Sequence, residues 1–353
     1  MRTSRRQLLG AASAAPFACS ALAGPDSHRN ASDWIAPPAL RVGDNVMFVA
    51  PAGPVDAEKI KAARSVFESR GINVVIPDGL FRRRLNYLAG SDSERLKELN
   101  TAIEDRDIAG IFPCRGGYGL TRILDRVDYG GIRKCPKIIA GFSDITALHL
   151  AIGRRSRVIT FHSPMPQAYL FDRDEAADWV TKSFWDAILK ERYASDRTPG
   201  YDVELPRNCP RPRTLVGGKA EGRLSGGNLT LINSTLGTPF QVESEGRIMV
   251  LEDVGEEPYR IDRYLSQLRL AGILNGVSGI VVGSLTDSTE REPQTQNACR
   301  EIFAHYFSDL GIPVVTHFPV GHTRLNVTIP MGARARLDAD NGHLSILENP
   351  VAL

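Results

Sequence analysis

A repeated alternation of apolar runs with helix-length segments constrains the fold of this chain more than any other feature. The apolar runs occupy residues 46–50, 73–76, 108–112, 137–140 and 158–161. Between the first two runs, Ile60, Ala63 and Phe67 recur at helical spacing behind a potential N-cap, Asp56. Repeated strand–helix units predict a parallel sheet with helices on both faces. We therefore expect an α/β fold whose N-terminal domain, residues 41–170, is a doubly wound, mostly parallel, flavodoxin- or Rossmann-like sheet that binds ligands beyond the carboxyl ends of its strands.

The composition of the chain changes after residue 170. An acidic, tryptophan-containing stretch is followed by Pro206, Pro210 and Pro212. We therefore predict that residues 171–212 form a helical segment followed by a proline-rich linker. Beyond the linker, several apolar runs surround one amphipathic segment near residues 259–270. This mixture predicts a second, β-rich α+β domain over residues 213–353.

The first 23 residues have the order of an export signal. Arg5 and Arg6 precede a short alanine-rich stretch, and Ala21 and Ala23 provide small residues for cleavage. The stretch is too short and too weakly apolar to span a membrane. We predict a twin-arginine signal at residues 1–23, a tether at residues 24–40, a periplasmic or similarly exported location, and no membrane span after removal of the signal.

Charge and cysteine content narrow the classes of partner. Loss of the three signal arginines would change the formal charge from +2 to −1, and no basic stripe carries interleaved aromatic residues, so nucleic-acid binding is not expected. Four cysteines would remain, at Cys114, Cys135, Cys209 and Cys299. Their spacing defines neither a zinc site nor a disulfide framework, and their redox state stays open.

Ser143 is the candidate nucleophile. The apolar run 138–140 ends at a glycine, and Ser143 then directly precedes a predicted helix. A serine on a strand-to-helix turn exposes its Oγ, and the next backbone N–H and the helix N-terminus face an oxyanion formed there. The pattern differs from that of an ordinary α/β-hydrolase, because Ile145 occupies a position where glycine is usual. The alternative is that Ser143 or Asp144 only caps the helix.

A serine nucleophile needs a base and a group that orients the base. Four of the seven histidines are best explained as structural or tether residues: His28, His149, His305 and His343. His162, His317 and His322 lie at strand ends, and chemistry alone leaves His317 and His322 equally acceptable as the base.

The orienting acid is Glu252 or Asp253, at the end of the predicted strand 248–251. Adjacent strand residues point to opposite faces, so only one of the two acids can face the cleft. A solvated acidic turn is the alternative for both.

A glycine-rich loop over residues 115–119 could bring backbone N–H groups close to a substrate oxygen. The loop could also hold phosphate, although it matches neither dinucleotide-binding nor P-loop spacing.

Seven motifs together resemble the LD-carboxypeptidase family, the muramoyltetrapeptide carboxypeptidases, which is related to microcin-immunity serine peptidases. The motifs cover residues 114–122, 141–146, 226–229, 237–239, 251–256, 261–263 and 319–322, and the resemblance extends over nearly all of residues 40–350. It implies a Ser-His-Glu triad with Ser143 as nucleophile, His322 as base and Glu252 as orienter. It also implies an active site between the two domains, and a homodimer that requires neither a metal nor a cofactor.

The mechanism implied by this resemblance assigns the oxyanion donors, and the geometry of a guanidinium suggests a role for Arg115. The N–H groups of Asp144 and Gly117 are predicted to hold the oxyanion, with Gly116 beside them. Arg115 is predicted to bind a substrate carboxylate, with a structural salt bridge as the alternative.

The resemblance implies a serine carboxypeptidase that hydrolyses the L,D-amide bond and releases terminal D-Ala from a murein tetrapeptide during peptidoglycan turnover. The third-residue diamino acid of the substrate is left open. Two other functions are possible. One is a microcin-immunity-like peptidase that acts on peptidyl or aminoacyl nucleotides, which export disfavours. The other is a non-catalytic envelope protein that binds muropeptides.

Overall fold

The computed structural model describes residues 34–168, 175–189, 200–206, 209, 211–286 and 293–353. The predicted signal and the first part of the predicted tether lie outside these residues. Residues 34–40 differ from a tether, because Ala39 and Leu40 are buried and Ile35 forms a backbone bridge with Val158. Residues 34–40 are therefore part of the fold.

A parallel sheet forms in the N-terminal half, as predicted. Its strands are β1 (Asn45–Val49), β2 (Asn73–Val75), β3 (Ile108–Pro113), β4 (Ile138–Gly141) and β5 (Thr160–His162). They are all parallel and lie in the order β2-β1-β3-β4-β5, a doubly wound order in which later strands are added on the opposite side of β1 from β2. One antiparallel strand from late in the chain, β12 (Ile329–Met331), extends the sheet beside β5.

Helices cover both faces of this first sheet. They are α1 (Ala57–Ser69), α2 (Asp92–Glu104), α3 (Tyr129–Lys134), α4 (Ile145–Arg155) and α5 (Glu175–Ile188). The apolar faces of α1 and α5 contribute to one buried cluster, whereas those of α2, α3 and α4 contribute to another. Local signals set the helix starts: the Asp56 side chain accepts a hydrogen bond from the Lys59 N–H, and Ser91 and Glu94 form a capping box.

The second sheet is mixed. Its strands are β6 (Tyr201–Asp202), β7 (Arg213–Val216), β8 (Lys219–Asn228), β9 (Arg247–Val254), β10 (Gly279–Thr286), β11 (Val314–Thr316), β13 (Arg334–Asp338) and β14 (His343–Ile346). The order is β6-β14-β13-β8-β9-β10-β11-β7, in which β8 to β11 run parallel. Helices α6 (Leu229–Ser234), α7 (Pro258–Leu270) and α8 (Pro293–Phe307) share a buried cluster with its strands. The predicted combination of a doubly wound sheet and a β-rich α+β part is confirmed.

Two segments connect the sheets in ways that the sequence did not predict. The α5 part of the predicted linker packs on the first sheet through Phe184 and Trp185, and β6 then joins the second sheet. Strand β12 returns the chain from the second sheet to the first. The two sheets consequently share one buried cluster, in which Phe161 and Val250 are both fully buried. Among the residues described, no helix combines the length and the apolar character needed to cross a membrane.

Candidate active site

Ser143 lies on the sharp turn between β4 and α4. Its backbone φ is +64°, a left-handed conformation that costs a non-glycine residue on the order of 1–3 kcal/mol and occurs preferentially at functional sites. Asp144 is the N-cap residue of α4, but its side chain makes no capping hydrogen bond. Helix capping therefore does not explain the presence of Ser143 and Asp144, and the turn holds the serine hydroxyl where another element can reach it.

His322 connects Ser143 to Glu252. Its Nε2 lies 3.1 Å from Ser143 Oγ, and its Nδ1 lies 2.7 Å from Glu252 Oε2. The backbone N–H of His322 also donates to Glu252 Oε2, at 3.2 Å. The ring of Phe142 packs against the imidazole with 4.7 Å between centroids. These contacts fix both the position of His322 and the plane of its ring.

Glu252 lies on β9 with no exposed side-chain surface. Burial alone would raise the pKa of its carboxyl, but hydrogen bonds from His322 and the charge of that residue outweigh burial and leave the pKa below its ordinary value. The carboxylate is therefore ionised at neutral pH. An ionised Glu252 holds the proton of the imidazole on Nδ1, so Nε2 carries no proton and can accept the Ser143 hydroxyl proton.

Asp253 has a different environment on the opposite face of β9. It accepts hydrogen bonds from Asn228 Nδ2 at 2.9 Å and from the Thr230 N–H at 2.9 Å and hydroxyl at 2.8 Å. Asp253 thereby fixes the start of α6. Of the two adjacent acids, the structure brings Glu252 to the histidine.

His317, the other candidate base, lies away from Ser143. Its backbone φ is +60°, and its Nδ1 lies 2.8 Å from Thr316 Oγ1. Its side chain lines a separate cavity of about 230 Å³ together with Arg213 and Phe303. Side-chain chemistry alone did not distinguish His317 from His322. The path of the loop that follows β11 places His322, and not His317, beside Ser143.

A cavity of about 530 Å³ opens above Ser143 and His322, and the glycine-rich loop forms one of its walls. A Cβ atom at Gly116 would lie 2.9 Å from Ser143 Oγ and 3.3 Å from the Asp144 nitrogen. Only a residue without a side chain leaves that space open, next to the nucleophile and to a backbone donor. A substrate oxygen can occupy this space, and Gly117 lines the same cavity.

The side chain of Asp144 points away from the nucleophile. Its buried carboxyl accepts a hydrogen bond from the Leu120 N–H at 2.9 Å, and burial raises its pKa to about 6. This bond ties the nucleophile turn to the glycine-rich loop. The position of Asp144 thus combines a structural side chain with a backbone nitrogen that lies beside the open space at Gly116.

Arg115 and Lys59 give the cavity a positive wall. Arg115 is exposed and donates to the Pro54 carbonyl at 2.8 Å, and within the described part of the chain it forms no ion pair. The guanidinium therefore has no carboxylate partner among the described residues that would explain it as a structural salt bridge. Both cations line the cavity beside Ser143.

Sequence reasoning missed two residues that support the site. Arg95, on α2, is 1% exposed and donates to the carbonyls of Pro51 and Gly119, which fixes the end of the glycine-rich loop. Gln167 accepts the Asp56 N–H at 2.8 Å and lines the cavity. No sequence signal marks Gln167, whereas an arginine on the apolar side of α2, beside Leu99, could have drawn attention.

His162 was a candidate without an assigned role. It is fully buried at the end of β5, and the centroid of its ring lies 5.9 Å from that of Phe142. Burial lowers its pKa to about 4. Neither of its ring nitrogens has a hydrogen-bond partner among the described residues. The imidazole is thus neutral and lies behind the triad, out of reach of the cavity. Groups of His, Cys, Asp or Glu that could hold a metal ion are absent from the described residues.

Two protein-family models match the chain, one in each half. Residues 46–163 match the LD-carboxypeptidase N-terminal domain, and residues 221–337 match the LD-carboxypeptidase C-terminal domain. The first match contains Ser143 and the second contains Glu252 and His322.

Relatives and solved structures agree with these matches. A probable murein peptide carboxypeptidase of Bacillus subtilis is 37% identical over 86% of this chain and 91% of its own length. A murein tetrapeptide carboxypeptidase of Pseudomonas aeruginosa is 30% identical over 85% of this chain and 94% of its own. The crystal structure of a muramoyltetrapeptide carboxypeptidase from Oxalobacter formigenes has a TM-score of 0.71 at 30% identity, covering 86% of this chain and 97% of that chain. A microcin C7 self-immunity protein has a TM-score of 0.79 at 25% identity, covering 90% and 99%.

Proposed function

Since the chain belongs to the LD-carboxypeptidase family, we propose that it is a serine carboxypeptidase that releases the terminal D-Ala of a murein tetrapeptide. The observation that carries the proposal is the continuous hydrogen-bonded series from Ser143 through His322 to Glu252 at the floor of an open cavity. Two relatives described as acting on murein peptides supply the substrate class.

The proposed reaction begins with attack of Ser143 Oγ on the scissile carbonyl carbon. His322 Nε2 takes the hydroxyl proton, and the ionised Glu252 stabilises the imidazolium that forms. The carbonyl oxygen becomes an oxyanion beside Gly116, where the N–H groups of Asp144 and Gly117 are the proposed donors. His322 then returns the proton to the leaving amine of D-Ala. Water, activated by the same imidazole, hydrolyses the acyl-enzyme and restores Ser143.

A carboxypeptidase must also recognise a free terminal carboxylate. Arg115 is suited to this role, because a guanidinium offers parallel N–H donors that match a carboxylate. Lys59 adds a second positive charge to the cavity. We propose that these two side chains select the free carboxyl terminus of the substrate.

Mass spectrometry of the purified protein with a murein tetrapeptide tests the proposal. Loss of one D-Ala in the presence of the unmutated protein, and no loss with a folded Ser143→Ala variant, is the expected result. Cleavage that survives Ser143→Ala would eliminate Ser143 as the nucleophile.

Likeness to a microcin self-immunity protein supplies a second candidate activity, cleavage of a peptidyl or aminoacyl nucleotide. The same assay with an aminoacyl sulfamoyl adenosine separates the two. Turnover of the nucleotide alone would replace the murein proposal. Binding of the tetrapeptide without turnover of either compound would favour a non-catalytic muropeptide-binding protein.

We also propose export to the periplasm or an equivalent compartment, on the strength of the arginine pair at residues 5–6. Cell fractionation should place the protein outside the cytoplasm and a variant with both arginines changed to lysine inside it. Equal retention of both proteins in the cytoplasm would contradict the proposal. The predicted homodimer is tested by sedimentation, in which a monomer at micromolar concentration would contradict it.

A further inference from the structure

Two exposed tyrosines form a pair beside the catalytic cavity. Tyr87 is 48% exposed and Tyr118 is 47% exposed, and their ring centroids are 6.0 Å apart at an interplanar angle of 52°. The same short segment exposes Phe81 and Leu85, at 43% and 60%. Large apolar side chains that are exposed together, rather than scattered, mark surfaces that bind something. The mechanism described above uses none of these side chains.

The backbone that presents Tyr87 is strained. Arg84 and Leu88 exchange two backbone hydrogen bonds, of 2.8 and 2.9 Å, and close a tight hairpin. Inside it Leu85 and Asn86 have φ values of +51° and +62°. A left-handed leucine costs roughly 1–2 kcal/mol, and here its side chain gains no burial in return. Strain of this kind at an exposed position points to a function for the hairpin tip.

The hairpin is attached to the wall of the cavity. The Ala89 N–H donates to the Ala52 carbonyl at 2.9 Å, and the Gly53 N–H donates to the Gly116 carbonyl at 2.9 Å. A Cβ at Gly119 would lie 3.0 Å from Leu88 Cδ2, so the hairpin and the glycine-rich loop are in direct contact. The tyrosine pair is therefore continuous with the site rather than a separate surface.

The length of the proposed substrate can be compared with the glycine-rich loop that connects Gly116 to Tyr118. Consecutive Cα atoms are about 3.8 Å apart, so the Cα of Tyr118 lies no more than about 7.6 Å from that of Gly116. In a murein tetrapeptide, three residues precede the scissile bond and span about 10 Å when extended. A group on the amino end of the peptide would reach the tyrosine rings if the peptide followed the glycine-rich loop. In murein this group is the sugar.

We propose that Tyr87 and Tyr118 form a saccharide subsite, in which a sugar ring on the amino end of the substrate packs against the tyrosine faces. This inference rests on the proposed function and adds to it a preference for peptides that still carry their sugar. The C–H faces of a pyranose ring suit flat aromatic surfaces, and its hydroxyl groups suit the phenolic hydroxyls at the tips of the rings. Tyrosines with two rotatable side-chain bonds lose little entropy when they bind.

The test compares one tetrapeptide with and without its disaccharide. With the sugar present, Tyr87→Ala and Tyr118→Ala together should lower kcat/KM about tenfold, through KM, because two aromatic contacts are lost. With the free peptide, the same variant should stay within about twofold of the unmutated protein. Tyr→Phe changes at both positions should keep most of the preference. Tyr259→Ala removes a 56% exposed tyrosine elsewhere, on α7, and serves as the matched control.

Several results would overturn the proposal. An equal loss with both substrates would make the tyrosines supports of the cavity, and no loss with either would remove them from substrate binding. A change of oligomeric state in the double variant would instead make the pair a subunit contact. Calorimetry in a Ser143→Ala background measures sugar-dependent binding without turnover. Equal affinity for the two compounds there would refute the subsite even if no peptide is cleaved, which separates its failure from failure of the proposed activity.

Discussion

Replacement of Glu252 by glutamine tests the triad more sharply than removal of the nucleophile does. A glutamine keeps the size of the side chain and can still accept the His322 Nδ1–H, so the geometry survives while the negative charge is lost. The imidazolium formed during attack then lacks its counter-ion in a site where Glu252 is fully buried.

The size of the effect follows from the geometry. With 2.7 Å between Nδ1 and Oε2, the two charge centres are about 4 Å apart, where opposite charges attract by about 4 kcal/mol at an effective dielectric constant of 20. A loss of that size in the transition state corresponds to about 10³ in rate. Since part of the orientation remains, we expect kcat for D-Ala release to fall by about 10²–10³. KM should change little, because the carboxylate does not reach the cavity.

Asp253→Asn is the matched control, one residue along the same strand. It should destabilise the fold by about 1–3 kcal/mol, because an amide nitrogen would face the donors at the start of α6, yet kcat should stay within about threefold. Stopped assays of D-Ala release and urea unfolding of both variants provide the two readouts. A Glu252→Gln enzyme within tenfold of the unmutated rate, or an Asp253→Asn enzyme that is folded and inactive, would refute the assignment of the orienting acid.

Three further predictions concern other parts of the site. Gly116→Ala should lower kcat by about 10²-fold or more, measured by D-Ala release, since its Cβ would lie 2.9 Å from Ser143 Oγ in the proposed oxyanion space; near-normal turnover would move that space elsewhere. Arg115→Gln should raise KM about tenfold for a peptide with a free carboxyl terminus, whereas the KM for the corresponding peptide amide should be the same in the variant and the unmutated protein. An unchanged KM for the free peptide in the variant would leave Lys59 as the carboxylate ligand. Burial lowers the pKa of His149 to about 3, so the unfolded state binds the extra proton as the pH falls below about 6.5 and stability is lost. Between pH 7.5 and pH 4.5 the unmutated protein should lose about 2–3 kcal/mol more than His149→Gln in urea unfolding, and an equal loss would show that His149 titrates normally.

Local sequence patterns were sufficient to predict the first sheet and the strand-to-helix turn that carries Ser143. The apolar runs gave β1, β3 and β4 to within a residue or two, because each run carries its own strand and helix-start signals. Ser143 was identifiable because the strand-to-helix turn is a local feature. The glycine-rich loop was identifiable for the same reason.

The rest of the site depends on contacts between residues far apart in the chain. His322 meets Ser143 across 179 residues and Glu252 across 70 residues, and no local pattern distinguishes it from His317. The end of strand β8 has no local strand signal, since Gly226 and Gly227 have low strand propensity and are held by pairing with β9. The burial of residues 34–40 likewise depends on partners late in the chain.

The return of β12 to the first sheet has a mechanical consequence for the loop that carries His322. This loop leaves β11 in one sheet and enters β12 in the other, where Ile329 lies opposite His162. Spreading the two sheets apart would therefore stretch the loop from both of its ends. Because the loop that carries His322 is attached to both sheets, we expect the rims of the cavity, rather than the two sheets, to move when a ligand enters or leaves.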